Sequence, residues 1–187
     1  MRTLLSLLLL LAAGCQEETA LQCPANTALI GQYALKFTAS HDAGECIADG
    51  GLDGGQVILT PLTVDNVGTK GATFCSAPSL DGGIELQLLV AGKGGVRKSP
   101  LLDDGGFHFV SDTTVAQGTA CICDVSDSET MDGFLLTTGP FALRPDGGLP
   151  VVTSIAATLT DQLVAASQGC ICNVPCSVTY SLSGGSF

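Results

Sequence analysis

The stretch Asp81-Gly82-Gly83, followed by Ile84-Glu85-Leu86-Gln87-Leu88, is a turn signal that feeds an alternation of apolar and polar residues. Asp-Gly steps supply the positive φ angles that tight strand connections require. Alternation with period two places one set of side chains on each face of a strand. Asp-Gly-Gly recurs at Asp49, Asp53, Asp104 and Asp146. After the first of these, each leads into an apolar run: Val57-Ile58-Leu59, Phe107-His108-Phe109-Val110 and Leu149-Pro150-Val151-Val152. These sites read as strand connections. A calcium loop needs alternating oxygen ligands and a closing Glu, and none of the five has them.

Working outward, Tyr33, Leu35 and Phe37 alternate with Ala34, Lys36 and Thr38, which predicts a half-buried strand over residues 29–40. At the other end, Cys176, Val178, Tyr180 and Leu182 alternate with Ser177, Thr179, Ser181 and Ser183, which predicts a terminal strand. Helix signals are few. Ser126 to Glu129 has capping-box spacing, with Gly133 close behind, and Thr160 to Ser167 has room for two turns, with Leu159 and Leu163 on one face. The expected fold is all-β: an antiparallel sandwich or barrel braced by disulfides, with at most one or two short helices.

Cys121-Ile122-Cys123 opens a ten-residue segment repeated at Cys170-Ile171-Cys172, and six of the ten positions are identical. Each copy follows an Asp-Gly-Gly turn and an apolar run, as a duplicated strand unit would. Residues i and i+2 of a strand share a face, about 7 Å apart, too far and too parallel for a bond between them. Each Cys therefore pairs outward, with Cys23, Cys46, Cys75, Cys176 or the opposite ribbon as candidates. A Cys₄ zinc site is the alternative, though structural zinc favours two residues between paired Cys. Catalytic thiol exchange lacks a neighbouring His or Lys.

The N-terminus says where the chain works. Arg2 precedes an apolar run from Thr3 to Ala13, too short to span a bilayer, and then Leu11-Ala12-Ala13-Gly14-Cys15. This pentapeptide resembles the lipobox of bacterial lipoproteins. The resemblance implies diacylglycerol on the Cys15 sulfur, cleavage before Cys15, and acylation of the new amine. Two or more chains anchor a protein stably. Ordinary secretion is the alternative, because Ala12 and Gly14 also satisfy a small-x-small cleavage rule. Of the nine Cys, lipidation of Cys15 leaves eight that can pair fully: Cys23, Cys46, Cys75, Cys121, Cys123, Cys170, Cys172 and Cys176. Eight Cys allow 105 pairings, so the connectivity stays open. The resulting division is a signal peptide at 1–14, a lipidated Cys and tether at 15–22, and one disulfide-rich β domain at 23–187. Gln16, rather than Asp, after the Cys points by the same resemblance to the outer membrane of a bacterial cell envelope.

Arg2 falls in the leader, so the remainder carries six Lys/Arg against eighteen Asp/Glu, a balance of −12. Such acidity excludes nucleic acid and adhesion to anionic lipid by charge. Gly92-Lys93-Gly94-Gly95 lacks the spacing of a phosphate loop, and no cofactor or metal is expected. Ser40-His41-Asp42 is contiguous, unlike the members of a catalytic triad, and no Gly-x-Ser-x-Gly elbow is present. His108 faces away from Phe107 and Phe109. Asp103-Asp104 and Asp127/Glu129 are paired acids of the kind sugar chemistry uses, but they read as exposed turn residues, with no Trp to stack a sugar. No catalytic residue is assigned. The expected function is a membrane-anchored lipoprotein acting as a binding or structural module. Its partners would be the membrane through its lipid and an envelope protein or a small apolar ligand. An envelope hydrolase and a Cys-x-Cys metal or thiol protein are the alternatives.

Overall fold

Three of the Asp-Gly-Gly sites form one and the same turn. At Ser79–Gly83 the Gly82 N–H donates to the Ser79 carbonyl, and the Ser79 N–H donates to the Gly83 carbonyl. The same two bonds recur at Leu102–Gly106 and Arg144–Gly148. The first glycine of each pair has φ of 87°, 84° and 78° at Gly82, Gly105 and Gly147, a region costly for any side chain with a Cβ. The Asp81 and Asp104 carboxylates accept the N–H of Gly83 and Gly106, closing the turn from its side.

The computed structural model describes residues 21–39, 47–49, 56–58, 68–116, 123–145, 147–169 and 174–186. The described residues form ten strands and no helix. They are β1 (Ala28–Ala39), β2 (Ile47–Asp49), β3 (Gln56–Ile58), β4 (Gly68–Pro78), β5 (Ile84–Val90), β6 (Arg97–Pro100), β7 (Gly106–Ala116), β8 (Asp124–Leu136), β9 (Ser154–Ala165) and β10 (Cys176–Ser186). β2 and β3 pair as a separate hairpin. The other eight form one antiparallel sheet in the order β6-β5-β4-β1-β10-β9-β8-β7. Every neighbour in that order is a neighbour in sequence once the hairpin is set aside, and β1 meets β10. The sheet curls until its two edges, β6 and β7, come side by side. There the His108 N–H donates to Ser99 Oγ at 2.8 Å. The result is a nearly closed up-and-down barrel, which settles the barrel-or-sandwich choice.

Period-two alternation fills the interior. Tyr33, Leu35 and Phe37 of β1 point inward, with Phe74, Leu86, Leu88, Phe107, Phe109, Met131, Leu135, Leu159, Tyr180 and Leu182 from the other walls. Phe107 and Phe109 meet at a tilt of 44° with 5.1 Å between ring centres, and Phe74 meets Tyr33 edge-on at 5.7 Å. Gly133 of β8 is inward-facing and could not be larger, because a Cβ there would lie 2.5 Å from the Ala157 Cβ. Many outward positions of β8 to β10 are polar and small, including Ser128, Thr130, Thr158, Thr160, Ser181 and Ser183, with Phe134, Leu136 and Val164 as apolar exceptions.

Three expectations need correction. Thr160 to Ser167 is not helical: β9 runs on to Ala165. Leu159 and Leu163 are four apart, a spacing shared by one face of a helix and one face of a strand, so the pair could not decide between them. Ser126 to Glu129 lies inside β8 rather than starting a helix. Leu149 to Val152 does not form a strand after its Asp-Gly-Gly turn. Pro150 lacks an N–H for a ladder, and Val152 is drawn over the barrel end, where its carbonyl accepts the Tyr33 hydroxyl at 3.3 Å. Burial pushes the Tyr33 phenol up to about 12.

The bracing disulfide joins Cys23 to Cys75 across 52 positions. It straps the segment before β1 onto the outside of β4, where Thr73 Oγ1 also donates to the Leu21 carbonyl at 2.8 Å. Cys75 is fully buried beneath this strap. Cys123 and Cys176 are also disulfide-bonded.

Candidate functional site

Two clusters of chemistry-bearing side chains stand out, one inside the barrel and one on its wall. The inner cluster follows from strand register. Val125, Asp127, Glu129, Met131 and Leu135 occupy alternate positions of β8 and all face inward. Glu129 pairs directly with Asp161 of β9, and Asp127 pairs with Leu163. Three carboxyls therefore meet where the apolar core ends. Arg97, at the start of β6, and Lys93, from the turn before it, both donate to Glu129. The Glu129 side chain is 6% exposed, and those of Lys93 and Arg97 are 10% and 8% exposed.

These charges titrate unevenly. Burial pushes the Asp127 carboxyl up to about 7, helped by the negative charges of Asp161 and Glu129. Burial also pushes on Glu129, but Arg97 and Lys93 outweigh it and hold that carboxyl below its ordinary value. Among the described residues, Asp127 Oδ1 and the Arg97 Nε and Nη1 atoms are buried and find no hydrogen-bond partner. Both Glu129 oxygens are occupied by cations. Among the described residues no group of three or more His, Cys, Asp or Glu is arranged to hold a metal.

The outer cluster is on β7 and β8. His108 and Asp132 are direct cross-strand partners, and His108 Nδ1 lies 2.6 Å from Asp132 Oδ1. Their side chains are 56% and 65% exposed. They line a groove of about 530 Å³ with Leu102, Asp104, Phe134 and Thr158. Phe134 is an outward residue of β8 and is 48% exposed. Asp132 orients the imidazole and leaves His108 Nε2 facing out, the arrangement of a base with its orienting acid. The Ser99 hydroxyl, which accepts the His108 backbone N–H, is buried and donates to the Pro100 carbonyl, so it is not placed as a nucleophile. The geometry is suited to holding a ligand by hydrogen bonds.

The structure redistributes the residues singled out in the sequence. Cys23 and Cys75 come together. The disulfide at Cys123 removes one thiolate from the Cys₄ set that zinc would have needed. Asp104 closes a turn and reaches the groove, whereas Asp127 and Glu129 are interior rather than exposed turn acids. Cys15, Cys46, Cys121, Cys170, Cys172 and Ser40-His41-Asp42 lie outside the described residues. Lys93, Arg97, Asp161, Asp132 and Phe134 were missed. The readable signal was in β8, where Asp127 and Glu129 fall in phase with Val125, Met131 and Leu135 and so had to share the apolar face. Compared with family models, curated proteins and solved structures, the chain matches none of them.

Proposed function

We propose that this chain is a lipid-anchored lipoprotein of the bacterial cell envelope whose barrel is a binding module that works through its outer wall. The observation that carries this reading is the contrast between inside and outside. The interior of the described barrel is packed with aromatic and aliphatic side chains, while the wall carries an open groove with oriented polar groups. Ligand-carrying barrels keep a cavity inside. Between β8 and β10 the wall carries Ser and Thr at many outward positions, with Phe134, Leu136 and Val164 scattered among them, where a membrane-embedded barrel would carry a continuous apolar band. This supports a barrel standing in water, tethered through the lipobox Cys15. The Cys23–Cys75 disulfide supports an oxidising compartment.

The test is the intact mass of the protein extracted from bacterial membranes, with thiols blocked before and after reduction. A diacylated or triacylated chain beginning at Cys15, with no blockable thiol until reduction, is expected. An unlipidated chain, or thiols open to blocking without reductant, refutes the anchored, braced module. A second reading, an envelope hydrolase, draws on the His108–Asp132 dyad. It requires ester or amide cleavage that disappears in His108→Ala, and activity unchanged in that variant ends it.

A further inference from the structure

We propose that the groove beside His108, Asp132 and Phe134 binds a neutral glycan. The inference rests on the reading of the barrel as a binding module, but not on the lipid anchor. Sugars offer two chemistries at once: a face of C–H groups that packs on an aromatic ring, and an edge of hydroxyls that both donate and accept. The groove offers the complement of each. Phe134 is the one aromatic ring among the exposed large apolar side chains of the described residues. Beside it, Asp132 uses Oδ1 on His108, which leaves Oδ2 as an acceptor and His108 Nε2 as a second polar atom.

The polar row does not stop at the dyad. Across the strands, Asp132 stands opposite Thr158, Thr158 opposite Ser181, and Ser181 opposite Thr38. His108, Asp132, Thr158, Ser181 and Thr38 are all exposed, one per strand, at the strand spacing of about 4.8 Å. A chain of sugars can therefore lie across the strands, with its first ring against Phe134 and its hydroxyls along the row. Because each residue is fixed by a sheet ladder, little ordering is needed on binding. Charge sets the class. The groove contains Asp104 and Asp132, and the chain carries a net charge of −11. Uronic, sulfated and phosphorylated glycans are repelled, so the ligand is uncharged.

The full-length, oxidised, ¹⁵N-labelled chain is titrated with N-acetylchitohexaose, cellohexaose and an anionic oligogalacturonate, each to about 10 mM, well above a millimolar dissociation constant. Saturable amide shifts at His108, Asp132, Phe134 and Thr158 are expected with a neutral oligosaccharide. The chitin and cellulose fragments separate an N-acetylated envelope-type glycan from a plain hexose polymer. Phe134→Ala and Asp132→Asn are each expected to weaken binding at least tenfold while amide dispersion is preserved. The proposal is overturned by no saturable shift with either neutral oligomer, by shifts that map away from this row, by equal binding of the anionic oligomer, or by unchanged affinity in both folded variants. An anchored chain that fails here leaves the lipoprotein reading standing, and an unlipidated chain that binds overturns only the anchor.

Discussion

Replacing Asp127 with Asn removes a carboxyl whose ionisation the barrel interior resists. In the unfolded chain this group titrates near 3.8; in the barrel, burial and the charges of Asp161 and Glu129 lift it to about 7. Between those two values the folded state keeps a proton that the unfolded state has lost. Stability therefore falls as pH rises through that window and levels off above about 7. At about 1.4 kcal/mol per unit, the step from about pH 5.5 to 7 costs about 2 kcal/mol, and the whole shift about 4 kcal/mol. Glu129, held below its ordinary value by Arg97 and Lys93 after burial has pushed the other way, stays ionised across that step and does not blur it. The assay is urea unfolding of the oxidised chain at about pH 5.5 and 8, for wild type, Asp127→Asn and the exposed control Asp103→Asn. Wild type and the control are expected to lose about 2 kcal/mol, or roughly 4–8 °C in Tm, between the two conditions. Asp127→Asn is expected to lose none of it and to exceed wild type at the higher pH. An equal slope in Asp127→Asn would refute the assignment of the proton to this site.

Glu129→Ala leaves Lys93 and Arg97 buried without their acceptor and is expected to cost about 3–5 kcal/mol in chemical denaturation. Hydrogen exchange should rise first in β6 and β7, and uniform loss across all strands would contradict the local role. The double variant Cys23→Ser, Cys75→Ser opens a loop spanning 52 positions and should lose up to about 4 kcal/mol on the chain-entropy estimate. A Tm equal to that of the wild type would show that the strap contributes nothing. Gly133→Ala places a methyl 2.6 Å from Phe107 Cζ and is expected to cost about 1–3 kcal/mol, read from the urea midpoint.

The strands were legible because their signals are local. The Asp81 and Asp104 turns need only a side-chain acceptor and a glycine that tolerates positive φ, and both are written in consecutive residues. The alternation at Tyr33, Leu35 and Phe37 needs only one strand. The site was not legible, because each of its contacts joins strands. His108 meets Asp132 through the register of β7 on β8, and a shift of one residue would have sent Asp132 to the interior. Lys93 reads as part of a glycine-rich loop, and nothing near it in sequence announces a partner 36 positions away. Asp127 and Glu129 were misread because acids are usually exposed, a rule that fails when the phase of the strand is already set by Val125 and Met131.

The cysteine-ribbon repeat and the inner charges meet in one piece of architecture. Asp127 and Cys176 are equivalent positions of the two copies, and both pair with Leu163 of β9 from opposite sides. Glu129 and Val178 likewise flank Asp161, and Met131 and Tyr180 flank Leu159. The copies have thus become the two neighbours of a single strand, but only the β8 copy carries acids. β8 is also the copy nearer the seam, where β6 and β7 lie together without ladder pairing. Glu129 reaches from β8 past β7 to Arg97 on β6, and Lys93 joins from the turn before β6. A buried ion pair adds little net stability over an apolar one, but its geometry is demanding and its loss is costly. Placed across an unzipped seam, that demand for geometry specifies closure: apolar packing would tolerate a sheet left slightly open, whereas two cations sharing one buried carboxylate do not. The same closure holds β7 against β8 on the outer wall, and with them the spacing of His108, Asp132 and Phe134 along the groove.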